Sequence, residues 1–441
     1  MVVKVERDLI YAQKLSKMIQ CETVSVRDVP NTEKFDHFQD VLKELFPLVF
    51  SRCEVKKFES SLLIKLKGKG QGEPILLMSH QDVVPATGEW KYPPFSGAIE
   101  EGKVWGRGTV DTKGSLFCIF QAMEELLEEN YVPNVDVYIA SSSTEEVAGS
   151  GAPLTVEYLK KNNVHLQFLL DEGGMIKSEP LKGVNGRFAM IGTLEKGTGN
   201  IRFIARSNGG HASAPGHETP WIRLSRFMVE IEDKDPNKAM MSPTVIETFR
   251  RFAPYTKGTL GFVFKHAKGL SPLLSKVLPK INPIGAAMIK TTMAFTMAKG
   301  SDGMNVLPEE AWVNANIRFI QHQDVKQTID ILKPIADKYD IEMEVLQCKD
   351  PQTPVDFNGA PFKLVENTIK EMFPGVVPTP YAMTGGTDAY YYYPVTENAI
   401  RFAPLEINEQ QYQSIHALDE NIDVKVLPTG VDFYKTIVKK V

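Results

Sequence analysis

His80 and Asp82 close the apolar run LLMSHQD, Glu145 and Glu146 close VDVYIASSSTEE, and Asp171 and Glu172 close LQFLLDEGG. Between the first two runs lies VWGRGTVDTKGS, residues 104–115, where three glycines and an arginine surround a single acidic residue, Asp111. A helix follows, marked by Leu116, Ile119, Phe120, Met123 and Leu127 with acidic residues expected on its opposite face. Asp111 therefore either caps that helix or joins His80 and the other carboxylates around a cation. Histidine, aspartate and glutamate without cysteine suit a hard-to-borderline divalent ion such as zinc, manganese or cobalt. With two ions about 3.5–4 Å apart, one carboxylate bridges them while each keeps its own histidine and carboxylate. Such a centre needs a second histidine.

Other chemistries fit the same residues less well. Gly106 and Gly108 give G-x-G, but Asp111 stands where a dinucleotide fingerprint needs its third glycine, and no G-x-x-x-x-G-K-[ST] surrounds it. The run Ser141–Ser143 lacks the glycines of a nucleophile elbow. The elements that must position the candidates are read from periodicity. Helices are expected at Glu6–Ile19 and Thr32–Phe46, with the loop CETVSVRD between them, and short strands at Val55–Phe58 and Ser61–Leu66. From there to residue 171 strands alternate with helices, the signature of an α/β layer with a mixed, mostly parallel sheet between helices. In such sheets ligands bind outside the carboxyl ends of strands, where His80, Glu145, Glu146 and Asp171 all fall.

The series SHQDVVP, GRGTVDTKG, STEE, DEGG, NGGHASAP, NVLP and SIHALDE resembles, in order and spacing, the dinuclear zinc aminoacylase and carboxypeptidase family, whose members include carboxypeptidase S, succinyl-diaminopimelate desuccinylase and related dipeptidases. The resemblance runs along nearly the whole chain and looks closest to the carboxypeptidase S branch. It implies that Asp111 bridges two metals, most often zinc, that His80 and Asp171 complete one site, and that Glu146 and His416 complete the other. Glu145 is then the general base for the water that attacks an amide next to a free carboxylate, in a peptide or an N-acyl amino acid. Asp82 is expected to accept the other ring N–H of His80. Asp171 is preferred over Glu172 because it directly follows the apolar run. A non-catalytic homologue would lack ligands or the base, and none of the six is missing.

The resemblance also implies an inserted α+β lid that makes a homodimer. Its bounds are set at about Leu194–Lys349, leaving 1–193 and 350–441 for the catalytic domain. His211 is expected to reach the partner's active site with help from Asn305, and Arg318 to bind the substrate carboxylate, which a guanidinium fork suits. Inside the lid, 252–297 is apolar and basic, either extra helices packed on the lid or a wall for a long acyl or bulky side chain. Strands are expected in RFAMIGTLEKGTGNIRFIARSN and IEMEVLQ, and helices from Pro220, in VENTIKEMF and at Thr429–Lys439. Near the end, Thr384, Gly385, Gly386 and Thr387 form a loop whose backbone N–H groups could hold a carboxylate or an oxyanion. The tyrosines that follow are read as packing, His37, His165, His266 and His322 as structural or surface residues, and His217 as a decoy for His211.

Length and charge bound the partners. A chain of 441 residues exceeds the size at which one core usually splits, so two domains are expected. A net charge of −5 gives no footprint for nucleic acid or an anionic membrane, which favours small-molecule or peptide chemistry. Cys21, Cys53, Cys118 and Cys348 are scattered without C-x-x-C spacing, the first residues are charged, and no apolar run is long enough to span a membrane. A cytoplasmic, unexported protein is the expectation.

Overall fold

The computed structural model describes residues 2–27, 29 and 31–441; Asp28, the last residue of the loop CETVSVRD, lies outside them. Four strands lie side by side in parallel, in the order Val137–Ser141, Ile75–Met78, Phe168–Asp171 and Ala399–Arg401. All four are buried along their whole length. A strand covered on both faces reads as a continuous apolar run rather than an alternation, which is how these appear in the sequence. Antiparallel strands extend the sheet, Ser61–Leu66 and Glu54–Phe58 on one side and Arg187–Glu195 and Ile176–Ser178 on the other. Val376–Met383 runs parallel beside Arg187–Glu195 in this ten-stranded sheet.

The helix after Asp111, Lys113–Glu128, differs from its expected amphipathic form. It is buried almost all round, packed between Val2–Ile19 and Leu427–Lys440. Its acidic residues do not share a solvated face: Glu124 is 3% exposed and accepts the N–H groups of Leu48 at 3.0 Å and Val49 at 2.9 Å. It thereby satisfies two of the free donors that open the helix Pro47–Arg52. The remaining expected helices form at Thr32–Leu45, Pro220–Lys234, Ala360–Met372 and Leu427–Lys440.

The chain leaves the large sheet after Glu195 and enters a second one at Gly197, with only Lys196 between. This second sheet is antiparallel throughout, ordered Thr292–Lys299, Glu310–Phe319, Gly197–Arg206 and Glu342–Lys349. Phe203, Ile317, Phe227 and Leu332 join it to the helices Pro220–Lys234 and Val325–Lys338. The apolar, basic stretch behaves differently from either expectation. Its helices, Gly258–Lys265, Ala267–Ile281 and Pro283–Ile289, follow the helix Pro243–Phe252 into a core shared with Phe188 and Leu194 of the large sheet. Ring contacts fix this placement, with Phe188 and Phe252 at 4.9 Å and Phe249 and Phe264 at 4.6 Å between centroids. The insertion is thus anchored to the catalytic sheet, and only Thr292–Lys299 belongs to the lid sheet. None of its residues lines the main cleft.

Within the large sheet, at the point where the chain leaves it, a buried ion pair ties two neighbouring strands. Arg401 Nη2 donates to Glu195 Oε2 at 2.7 Å, and the two side chains are 0% and 3% exposed. Replacing Arg401 with alanine leaves a carboxylate uncompensated inside the protein, which costs about 3–5 kcal/mol. We expect Arg401→Ala to lower the unfolding free energy by that amount, measured by urea unfolding of the two proteins side by side.

Candidate metal centre

Asp111 holds the centre of the site through both carboxylate oxygens. Oδ1 lies 3.0 Å from His80 Nε2 and Oδ2 lies 3.0 Å from His416 Nε2, while Glu146 Oε2 is 3.1 Å from the same His416 nitrogen. The helix cap belongs instead to Thr112, whose side chain makes no capping bond. Capping is therefore not what Asp111 does. One carboxylate placed between two histidines, each with its own further carboxylate, is the arrangement a bridged pair of divalent ions requires.

Three elements bring these residues together. His80 follows the strand Ile75–Met78 by two residues, and Glu145 and Glu146 follow Val137–Ser141 after a short turn. His416 comes from the far end of the chain in the left-handed backbone region, φ 58°, after the helix Glu409–Ser414. Its partner residue in position is Glu420, which the small sheet formed by Asn421–Asp423 and Lys103–Trp105 sets beside the Asp111 turn. Glu420 is fully buried and accepts the N–H groups of Gly108 at 3.0 Å, Val110 at 2.8 Å and Asp111 at 3.0 Å. Arg107 completes the knot, donating to Glu420 at 2.7 Å and to the Ala417 carbonyl at 2.9 Å. The glycines of GRG serve this turn. Gly106 and Gly108 have φ of 143° and 91°, and a Cβ on Gly106 would stand 2.7 Å from the Pro94 carbonyl oxygen.

Asp82 has a wider part than expected. The His80 Nδ1–H donates to its backbone carbonyl at 2.9 Å, with its carboxylate at 3.4 Å. That carboxylate mainly accepts the Ser25 hydroxyl at 2.6 Å and the N–H groups of Glu145 at 3.2 Å and Glu146 at 3.1 Å. Asp82 therefore positions both sides of the site at once. The structure gives Asp171 a different set of partners from those expected. Asp171 Oδ1 accepts the N–H of Glu172 at 2.9 Å and Oδ2 that of Ala389 at 3.0 Å, whereas Glu172 Oε1 lies 3.9 Å from His80 Nε2. Successive side chains leave a strand on opposite sides, so Asp171 and Glu172 point in different directions. The carboxylate on the His80 side is thus Glu172. Asp171 is a strand-end anchor for two backbone donors.

The charges of this cluster act strongly on one another. Burial raises Asp111, but its bonds to His416 and His80 outweigh that and hold it well below the usual range. Asp111 and Glu146 in turn lift His416 to about 10. Glu145 is pushed well up, first by burial, against the pull of His80 and with the push of Glu172, Asp388 and Glu146. Glu146 keeps one buried oxygen, Oε1, without a hydrogen-bond partner. His80, Asp111 and Glu146 alone place three ligand atoms within 4.8 Å of one another. Sites that gather protons this strongly between imidazoles and carboxylates are those where divalent cations displace them. The residues present fit two metal ions.

A cleft of about 1130 Å³ opens beside the centre. Glu145, Glu146, His416, Arg318, Gly386 and Thr387 line it, and the lid strand Glu310–Phe319 supplies Arg318. Gly385 is exposed and does not line it. The Thr387 N–H is not free for substrate, because it donates to Glu195 Oε1 at 3.2 Å. His211 and Asn305 do not reach the cleft of their own chain either. They sit together on an exposed ribbon of the lid, where the Ala212 N–H donates to the Asn305 carbonyl at 2.9 Å and His211 Nδ1 meets Ser213 Oγ at 2.7 Å. His217 is exposed as well.

Two residues beyond the sequence reading shape the site, Glu420 and Glu195. The first had a signal, since it ends SIHALDE; the second, the last residue of an apolar strand, had none. We expect Glu172→Gln to lose one of the two bound metals while Asp171→Asn keeps both and melts earlier, read by metal analysis after dialysis and by thermal denaturation. The reverse pattern would return the ligand to Asp171.

The N-fatty-acyl-amino acid synthase/hydrolase PM20D1 of Homo sapiens is 30% identical over 437 residues, 97% of this chain and 87% of that protein. Among solved structures, an M20 family metallo-carboxypeptidase from Sulfolobus solfataricus superposes with a TM-score of 0.72 at 18% identity, covering 97% of this chain and 98% of that one. A dinuclear metal binding peptidase of the M20 family from Bacillus subtilis gives 0.59 at 13% identity over 98% of both chains. The family model for peptidases M20/M25/M40 matches residues 76–440, and the chain belongs to that family.

Proposed function

We propose that this chain hydrolyses an amide bond next to a free carboxylate, in a short peptide or an N-acyl amino acid, with two divalent ions at the Asp111 centre. The observation that carries this reading is the Asp111 carboxylate shared between His80 and His416, with Glu145 on the cleft side of the same cluster. Bound metals supply Lewis-acid polarisation of the scissile carbonyl and lower the pKa of the attacking water. The donor set of two histidines and carboxylates favours zinc, and cobalt and manganese suit the same atoms.

The chain's own residues do the rest. Glu145 takes the proton of the attacking water and returns it to the leaving nitrogen, and its raised proton affinity suits the first half of that cycle. Arg318, on the lid side of the cleft, takes the substrate carboxylate as a bidentate fork. The N-fatty-acyl-amino acid relative, similar along almost the whole chain, favours N-acyl amino acids as the second substrate class beside peptides. The four unpaired cysteines fit a reducing, cytoplasmic setting.

We also place this protein as a homodimer through the lid. The support is the exposed position of His211 and Asn305, which their own cleft does not use. From the partner's side His211 would donate to the developing oxyanion.

Two experiments test the reading. Amine release from a panel of N-acetyl, N-succinyl and long-chain N-acyl amino acids and dipeptides should be abolished by a chelator. In Glu145→Gln it should fall by about 10²–10⁴-fold with both metals retained; full turnover in that variant would remove Glu145 as the base. Mixing inactive Glu145→Gln with inactive His211→Ala should restore part of the activity, because a mixed dimer contains one intact composite site. No recovery from subunits shown to exchange would place His211 outside the reaction.

A further inference from the structure

The whole-chain charge of −5 argues against anionic partners, but the charge is unevenly spread. Between Glu247 and Asp302 there is no aspartate or glutamate, while lysines recur throughout. The helix Ala267–Ile281 lies in the middle of this stretch, and of its fifteen residues only Ala267 is buried. Leu273, Val277 and Ile281, four residues apart, form one stripe on it. They are 58%, 39% and 71% exposed, and Ile284 at 68% continues the stripe into the next helix. On the same arc, Lys276 and Lys280 flank the stripe on one side. The ion pairs that bracket the region belong to Arg251 and Lys290; among the described residues the lysines between them make none.

We propose that this face is a docking surface for an anionic lipid bilayer. A ridge of branched aliphatic side chains rimmed by lysine, in a stretch of sequence that holds no carboxylate, is the composition of helices that lie in the headgroup region. The aliphatic tips enter the acyl boundary while the lysine stems run along the surface and deliver their ammonium groups to lipid phosphates. The alternative occupant, a second copy of this chain, meets an electrostatic obstacle. A two-fold pairing brings the same patch against itself, so the lysine rim of one copy faces that of the other, and the stretch between Glu247 and Asp302 supplies no acidic residue to offset it. The ridge is also carried on a firm base, because the helix Pro243–Phe252 and Phe264 tie the insertion to the large sheet. The surface contacts the bilayer without spanning it: among the described residues no helix is long and apolar enough to cross a membrane.

The test is co-sedimentation of the full chain with vesicles of phosphatidylcholine containing phosphatidylglycerol, against vesicles of phosphatidylcholine alone. The expected result is binding to the anionic vesicles that weakens as salt rises. Lys276→Glu with Lys280→Glu, and separately Leu273→Ser with Ile281→Ser, should each weaken it by about tenfold or more. These positions are solvent-facing, so unchanged circular dichroism and melting temperature verify that both variants fold. No binding to anionic vesicles overturns the proposal, as does binding that both double variants leave intact. A solution dimer that Leu273→Ser with Ile281→Ser dissociates would assign the face to a second copy and overturn it equally.

Discussion

The constraint on which the molecule depends is the repulsion among carboxylates gathered at one point. Asp111, Glu145, Glu146 and Glu172 converge with two histidines in a largely buried space, and like charges so close oppose one another unless cations lie between them. Folding to this arrangement is unfavourable locally. It is tolerated because the ends of Ile75–Met78, Val137–Ser141 and Phe168–Asp171 are fixed by a core that does not involve the site at all. The fold supplies rigidity, and the metals are the charge that the fold leaves out.

Rigidity at strand ends still leaves the loops to be aimed, and two buried anions do this. Glu420 collects three backbone N–H groups of the Asp111 turn and the Arg107 guanidinium, so a residue more than three hundred positions away sets the orientation of the bridging carboxylate. Asp82 collects the N–H groups of Glu145 and Glu146 and approaches the ring of His80. Each is a charge stabilised by peptide dipoles, and each couples two loops that would otherwise move separately. Charge-assisted bonds of this kind are stronger and shorter than neutral ones, which suits a site whose ligands must hold their spacing.

A third buried pair, Arg401 with Glu195, joins the centre to the substrate cleft. Glu195 ends the last strand before the lid and also holds the Thr387 N–H, so the glycine-threonine loop, the crossing point into the lid and the central sheet share one anchor. Lys196, the residue between the two sheets, bonds the carbonyls of Ala287 and Lys290 at 3.1 and 2.8 Å. The insertion is thereby attached to the crossing point as well as to the large sheet. Lid, cleft and insertion meet within two residues of the chain.

The sequence by itself determined the chemistry and the order of the parts. His80, Glu145 and Glu146 were legible because each stands at the end of an apolar run, and buried strands advertise themselves by such runs; Asp111 stood out as the lone acid of a glycine-rich turn, and His416 only through the resemblance that SIHALDE carries. What it left open were matters of direction and distance. Whether Asp171 or Glu172 faces the cation depends on which way a strand-end side chain turns, and the bonds from Glu172 and Ala389 to Asp171, absent from any sequence pattern, favour Glu172. That Glu420 grips the Asp111 turn depends on the pairing of Asn421–Asp423 with Lys103–Trp105, a contact between chain ends without a local signature. The packing of Gly258–Ile289 on the large sheet was hidden for the same reason: its apolar residues do not say which of them are buried, and only the folded chain takes Phe264, Ala267 and Ile289 into the core and leaves Leu273, Val277 and Ile281 outside.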